Sequence, residues 1–116
     1  MKYFLAIIGG GPAGYTAAEL ASKAGKDVVI FEQTALGGTC LNVGCIPTKT
    51  LLYSAKQFYN ATHADKYGVK AEGVSFDYTK IVQRKTKVVR KLVVGIKQKL
   101  NNEHCTVVMG AATVVS

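Results

Sequence analysis

The sequence predicts an α/β fold, a parallel sheet with flanking helices, and three observations carry that prediction. A short apolar run, Tyr3–Ile8, feeds directly into a glycine cluster; a helical stretch and a second apolar run, Asp27–Phe31, follow; and the remainder is dominated by two long helical patterns. Strands alternating with helices in this way form crossover units whose strands lie parallel. At 116 residues and 48% hydrophobic, the chain can build one modest core.

The first strand, Tyr3-Phe4-Leu5-Ala6-Ile7-Ile8, runs into Gly9-Gly10-Gly11-Pro12-Ala13-Gly14, a G-x-G-x-x-G pattern. Alone the pattern is weak. Here it follows a strand, opens a helix expected over Ala13–Ala24, and precedes the second strand, which ends in Glu32. In that context Gly9 permits the tight turn, Gly11 lets backbone approach a pyrophosphate, and Gly14 allows close helix–strand packing. The helix N-terminus offers free N–H groups to phosphates. Glu32 follows at about the 20-residue interval expected for an acidic residue that accepts ribose hydroxyls. Its charge argues against a phosphate on that ribose. The alternative is a merely tight strand–helix turn.

Next comes Gly37-Gly38-Thr39-Cys40-Leu41-Asn42-Val43-Gly44-Cys45-Ile46-Pro47-Thr48-Lys49, which places two thiols close together in a glycine-rich turn leading into a helix. A disulfide needs α-carbons roughly 4.4–6.8 Å apart, and a short turn containing Gly44 can close that far. Pro47 suits the first turn of a helix, so Cys45 is expected at or just before its N-terminus, where the dipole stabilises a thiolate. Lys49 lies one turn on, on the same face. Cys45 is thus the expected low-pKa thiol, and Cys40, in the preceding loop, the one placed to meet an external thiol. The pair reads as a redox-active disulfide.

Other uses of the cysteines fit less well. A structural cross-link this short removes little unfolded-state entropy, and nothing marks the chain for an oxidising compartment. A metal site would have to recruit His104 and Cys105 from far along the chain, and Thr48 stands where an iron–sulfur pattern requires a third cysteine. No metal is expected.

A helix over Pro47–Thr62 carries Leu51, Leu52, Ala55 and Phe58 as an apolar stripe, read as core. His63–Val69 is turn-prone, and a second helix from about Tyr78 to Asn101 presents Ile81, Val88, Val89, Leu92, Ile96 and Leu100. Its other face carries Lys80, Arg84, Lys85, Lys87, Arg90, Lys91, Lys97 and Lys99, much of the formal net charge of +8. Such a face could meet nucleic acid or an acidic protein. It reads as a solvated face, because no aromatic residues interleave with the charges and no nucleic-acid motif is present. His63 and His104 each lack a positioned carboxylate, and Cys105 reads as a buried, inert residue opening a strand. The opening apolar run is too short for a secretory segment or a membrane span, so no membrane association and a cytoplasmic setting are expected.

Motif physics leaves nicotinamide and flavin both open, but a disulfide shortly after a dinucleotide site implies an electron relay, and flavin bridges hydride and thiol chemistry. The cofactor read from the pattern is FAD. The run Gly37–Lys49, with Ile7–Gly14 and Val28–Glu32, resembles the flavoprotein disulfide reductases, and Leu41 and Ile46 make it most similar to the branch acting on dihydrolipoamide. Glutathione- and mercuric-type reductases more often have valine at both places.

That resemblance implies a partial Rossmann-like FAD-binding domain over residues 1–116, with Cys45 next to the flavin, Cys40 as the interchange thiol, and Lys49 approaching the flavin ring. It further implies that Gly9, Gly11, Pro12, Ala13 and Gly14 line the pyrophosphate and that Glu32 binds the adenosine ribose with Gln33 beside it. Gly37, Gly38 and Thr39 would contact the cofactor before Cys40, and Ala112 would touch the adenosine end through backbone. Gln33 stands where the family often has lysine, and Ala112 where glycine is commoner.

Members of the family are several times longer. The resemblance implies that the NAD-binding domain, the C-terminal interface domain and the histidine–glutamate pair that handles protons lie outside this chain. The expectation is an N-terminal segment of a homodimeric, NAD-linked enzyme that does not turn over alone. Its dihydrolipoamide substrate would be carried on a 2-oxo acid dehydrogenase or glycine cleavage complex. Val114-Val115-Ser116 ends within a strand-like run, which is read as favouring truncation, and a partial sheet is expected to leave an apolar surface that promotes self-association. The alternatives are a free-standing nucleotide-binding module completed by a second chain, and a small flavin-free thiol oxidoreductase. Against the latter, the spacing is not C-x-x-C and the nucleotide site would have no purpose.

Overall fold

The computed structural model describes all residues, 1–116. Its elements run β1 (Leu5–Ile8), α1 (Pro12–Lys23), β2 (Val28–Glu32), α2 (Gly38–Asn42), α3 (Cys45–Thr62), a 3-10 turn (Asp65–Tyr67), α4 (Tyr78–Asn102) and β3 (Thr106–Met109). The three strands form one parallel sheet in the order β1-β2-β3. The predicted helix and strand boundaries shift by a residue or two: Pro12 takes the first helical position of α1, where its missing N–H costs nothing, and Glu32 becomes the last residue of β2. Cys105 is buried but precedes β3 and does not open it.

Strand register explains the core. Leu5 pairs with Val28, and Ile7 with Ile30 and thence with Val107, so these side chains share one face of the pleat. Helices α1 and α4 cover that face, with Ala18 and Leu100 packed against Val28, Ile30, Leu36 and Cys105. The two helices are also pinned by Glu19, whose carboxylate lies 2.6 Å from Lys23 Nζ and 2.9 Å from Lys99 Nζ. The opposite face carries Ala6, Ile8, Val29, Phe31 and Val108. Nothing packs over Ile8, which is 59% exposed.

Helices α3 and α4 lean on each other and extend away from the sheet, giving the chain extents of 65 × 26 × 19 Å. This corrects one expectation: Leu51, Leu52, Ala55 and Phe58 do not form a buried core stripe. Thr50 is the one buried residue of α3, because α4 contacts this helix along one side and no further layer covers the rest. Phe58 meets Phe76 edge-on at 5.5 Å between centroids, a local contact that leaves both rings exposed. Helix α4 is capped by Asp77, whose side chain accepts from the Lys80 N–H at 3.1 Å. It ends in a Schellman turn in which Cys105 N–H reaches Leu100 O and His104 takes φ of 57°. No helix is long and apolar enough to cross a membrane.

Candidate functional site

The loops after all three strands gather at the carboxyl edge of the sheet, where open parallel sheets hold ligands. After β1 the chain turns through Gly9, at φ of 105°, with Gly9 N–H donating to Phe31 O at 2.8 Å. Gly14 then packs so tightly that a Cβ on it would overlap Gly9 O, at 1.9 Å. Strand and helix are therefore as close as backbone allows. No side chain caps the start of α1 and no acidic residue lies in its first turn, which leaves its N-terminal amides free for an anion. Beside them is an open cavity of about 480 Å³, whose lining includes Gly9, Gly11, Pro12, Ala13 and Gly14.

Glu32 closes the edge of this loop from β2. Its carboxylate accepts Gly10 N–H at 2.7 Å and Thr34 N–H at 2.9 Å, one on each oxygen. The Thr34 amide first, and the Gly10 amide next, hold its pKa below the ordinary carboxylate value. An ionised carboxylate has about four lone-pair positions, so each oxygen keeps acceptor capacity for a ribose hydroxyl. A Cβ on Gly10 would lie 2.8 Å from Leu36 Cδ2 and 3.1 Å from Glu32 Oε2, so a side chain there would press on the carboxylate. The sequence reading passed over Gly10 as an x of the motif and missed Thr34; the unbroken run of three glycines was the available signal. Gln33 is exposed beside Glu32. Gly110 N–H donates to Glu32 O at 2.8 Å, so the chain leaving β3 toward Ala112 passes the same edge.

The thiol segment is built onto this loop. Gly37 donates to Gly10 O at 2.8 Å, and a Cβ on Gly38 would stand 2.7 Å from Gly11 Cα. Both glycines have positive φ, 100° and 61°. Here the structure corrects the expectation that Cys40 sits in a loop: Gly38–Asn42 is a short helix, α2. Asn42 holds it by donating from Nδ2 to Gly38 O at 2.9 Å and to Leu36 O at 3.1 Å. Sequence reasoning gave Asn42 no role, since a five-residue helix shows no periodicity.

Gly44 then separates α2 from α3. A Cβ on it would lie 2.9 Å from Thr39 O and 3.5 Å from Cys40 Cα, so the bare backbone lets the two helices meet. Cys45 opens α3 with Pro47 in its first turn, as predicted, and both thiols are free, Cys40 half-buried and Cys45 exposed. The Cys45 thiol beside it is the main influence raising the Cys40 pKa, followed by burial, while the Lys49 ammonium opposes the rise. Cys40 is thus the member of the pair that holds its proton more firmly than an ordinary thiol. Lys49 and Thr39 are exposed near the pair. His104 and Cys105 do not gather with it, and no cluster of three or more potential metal ligands exists.

A family model described as pyridine nucleotide-disulphide oxidoreductase matches residues 3–116. The chain belongs to that family. Among its relatives, dihydrolipoyl dehydrogenase of Bacillus subtilis (strain 168) is 46% identical over 114 residues, covering 97% of this chain and 25% of its own length. The enzyme of the same name from Mycoplasma pneumoniae is 47% identical over 116 residues, covering 99% and 25%. Among solved structures, the HOCl-induced flavoprotein disulfide reductase RclA of Escherichia coli, determined as a Cu(II) complex, superposes with a TM-score of 0.77 at 35% identity. That match spans 97% of this chain and 23% of RclA. This pyridine nucleotide-disulphide oxidoreductase chain therefore spans about a quarter of the length of the curated relatives it matches.

Proposed function

We propose that this chain is the FAD-binding and dithiol-bearing segment of a dihydrolipoyl dehydrogenase, an enzyme that oxidises dihydrolipoamide to lipoamide and reduces NAD. The single observation that carries the reading is the backbone contact of Gly38 on Gly11, which builds the dithiol segment directly onto the dinucleotide loop. A relay between a bound nucleotide and a thiol pair needs that adjacency.

In this reading α1 binds the pyrophosphate on its free amides, Glu32 accepts the adenosine ribose, and Gly37, Gly38, Thr39 and the backbone of Ala112 complete the cradle. When bound, FAD supplies two-electron chemistry between the dithiol and NAD. The exchange itself belongs to the cysteines. A dihydrolipoamide thiolate attacks Cys40 of the Cys40–Cys45 disulfide, forming a mixed disulfide and releasing Cys45 as thiolate. The second substrate thiol then attacks its own mixed disulfide, lipoamide leaves as the cyclic disulfide, and Cys40 departs and takes up a proton. Two electrons have moved from substrate to the cysteine pair. The raised pKa of Cys40 supports this division of tasks, since Cys40 is the thiol that takes up the proton after the first step has released Cys45 as thiolate. Lys49, one turn beyond Cys45, stabilises that charge. The reading includes a NAD-binding domain and an interface domain beyond residues 1–116, a homodimer in a cytoplasmic setting, and substrate carried by a 2-oxo acid dehydrogenase or glycine cleavage complex.

The deciding experiment is a visible absorption spectrum of the FAD-loaded protein before and after anaerobic dihydrolipoamide, with Cys45→Ser as control. A long-wavelength thiolate–flavin band that appears on reduction and disappears in Cys45→Ser supports the relay. A protein that binds FAD yet shows no spectral response to dihydrolipoamide would sink it.

A further inference from the structure

Helix α4 carries eight cationic side chains and no acidic one along Tyr78–Asn102. Of these, only Lys99 has a carboxylate partner, Glu19, at 2.9 Å. Arg84 is engaged locally, over the Tyr53 ring at 5.6 Å and donating to Thr50 O at 3.4 Å. The central group, Lys87, Arg90 and Lys91, is exposed and meets no counter-charge from any element. Lys87 stands three and four positions from Arg90 and Lys91, the spacing at which like charges repel along a helix. The face is electrostatically unbalanced as it stands.

This face is also continuous with the thiol segment. A groove of about 310 Å³ lies between α2 and α4, lined by Asn42, Lys85, Thr86, Val89, Arg90 and Val93. Asn42 ends the same short helix that carries Cys40, and a neighbouring groove repeats Thr86 and Arg90 and adds Lys87. Together they give an apolar floor of valines and a cationic rim, and Asn42 at one end belongs to the short helix that carries Cys40. No aromatic side chain lines either groove, so stacked bases would find no platform there. An acidic segment with an aliphatic anchor would match both floor and rim.

We infer that the α2–α4 groove with Lys87, Arg90 and Lys91 docks an acidic protein segment, the carrier that presents the dithiol substrate to Cys40. The identity of its cargo rests on the exchange role proposed above for Cys40 and Cys45; the docking surface does not.

The test separates the two. A fluorescein-labelled Glu/Asp-rich peptide with a central Leu-Val pair is titrated with the protein by anisotropy, beside the same peptide with every acid changed to its amide and a single-stranded oligonucleotide of equal charge. The acidic peptide is expected to bind more tightly than the other two. Its affinity should fall steeply between about 0.01 M and 0.15 M salt, as the screening length drops from roughly 30 Å to 8 Å. Combined Lys87→Gln, Arg90→Gln and Lys91→Gln should weaken it roughly tenfold, at a few tenths to one kcal/mol per exposed charge. Because that change relieves repulsion within α4, its melting temperature should not drop, so weaker binding would not report unfolding. Equal binding of the acidic and amide peptides, unchanged affinity in the triple variant, or tighter binding of the oligonucleotide overturns the inference.

A second arm compares free dihydrolipoamide with the acidic peptide bearing a dihydrolipoyl-lysine as reductants of the oxidised cysteine pair. A faster peptide reaction, with the advantage lost in the triple variant, supports carrier docking, and equal rates overturn it. Failure of both reductants would instead remove the exchange role and leave the docking decided by anisotropy.

Discussion

Gly38 rests on Gly11 with so little clearance that a methyl group on Gly38 would stand 2.7 Å from the Gly11 α-carbon. Two motifs well apart in sequence thus share one backbone contact, and the nucleotide loop and the cysteine pair cannot shift independently.

Gly38→Ala tests that contact. The new methyl meets backbone that cannot swing aside, and φ of 61° is unfavourable for alanine by about 1 kcal/mol before the clash is counted. The expected outcome is a loss of roughly 2–3 kcal/mol in urea unfolding, with weaker FAD binding in the same samples. Unchanged unfolding and FAD titration curves would show that the contact is not limiting.

Glu32 predicts an acid limb of stability. Its folded pKa lies below the ordinary value of 4.5 because Thr34 and Gly10 donate to the carboxylate. Its contribution is therefore complete above that value and is lost as the pH falls through the lower, folded one. Urea midpoints measured from about pH 6 downward should decline less steeply in Glu32→Gln than in the parent. Parallel declines would assign the acid limb to other carboxylates such as Glu19, whose pKa is lowered by Lys23 and Lys99.

Gly44→Ala should separate the thiols. Its methyl would press on Thr39 O, the carbonyl just before Cys40, and relief requires α2 and α3 to part. Equilibration with glutathione should show the Cys40–Cys45 disulfide at least tenfold harder to form, or roughly 30 mV in potential. An unaltered potential would mean that the two helices adjust without moving the sulfurs.

His104→Gly should stabilise the protein. A histidine at φ of 57° ends α4 where glycine is the usual residue, so the replacement should gain about 0.5–1 kcal/mol, less the extra freedom of the unfolded chain. Thermal unfolding at neutral pH reads this directly, and a lower midpoint would point to a contact made by the imidazole.

Much of the site was legible because its signals are local. The strand–glycine–helix order predicted Gly9, Gly11 and Gly14 at the turn, and Pro47 predicted that Cys45 opens a helix. What stayed hidden depends on residues distant in sequence. The bond from Gly10 to Glu32 exists only once β1 and β2 pair, and α2 is held by Asn42 reaching back to Leu36 and Gly38. The α3 stripe was misjudged for a related reason. Helical periodicity in Leu51, Leu52, Ala55 and Phe58 shows which side is apolar, whereas burial depends on what the rest of the fold lays over it.

The order β1-β2-β3 also sets a sequence of events. β1 and β2 are joined by one short helix, but β2 finds β3 only after the whole excursion through α2, α3 and α4 has been looped out. Closing that larger loop costs more chain entropy and slows the pairing. Refolding should therefore protect amides of β1, α1 and β2 against hydrogen exchange before those of β3, so the Gly9–Gly14 turn takes shape first and the Gly110 tether to Glu32 is among the last contacts made.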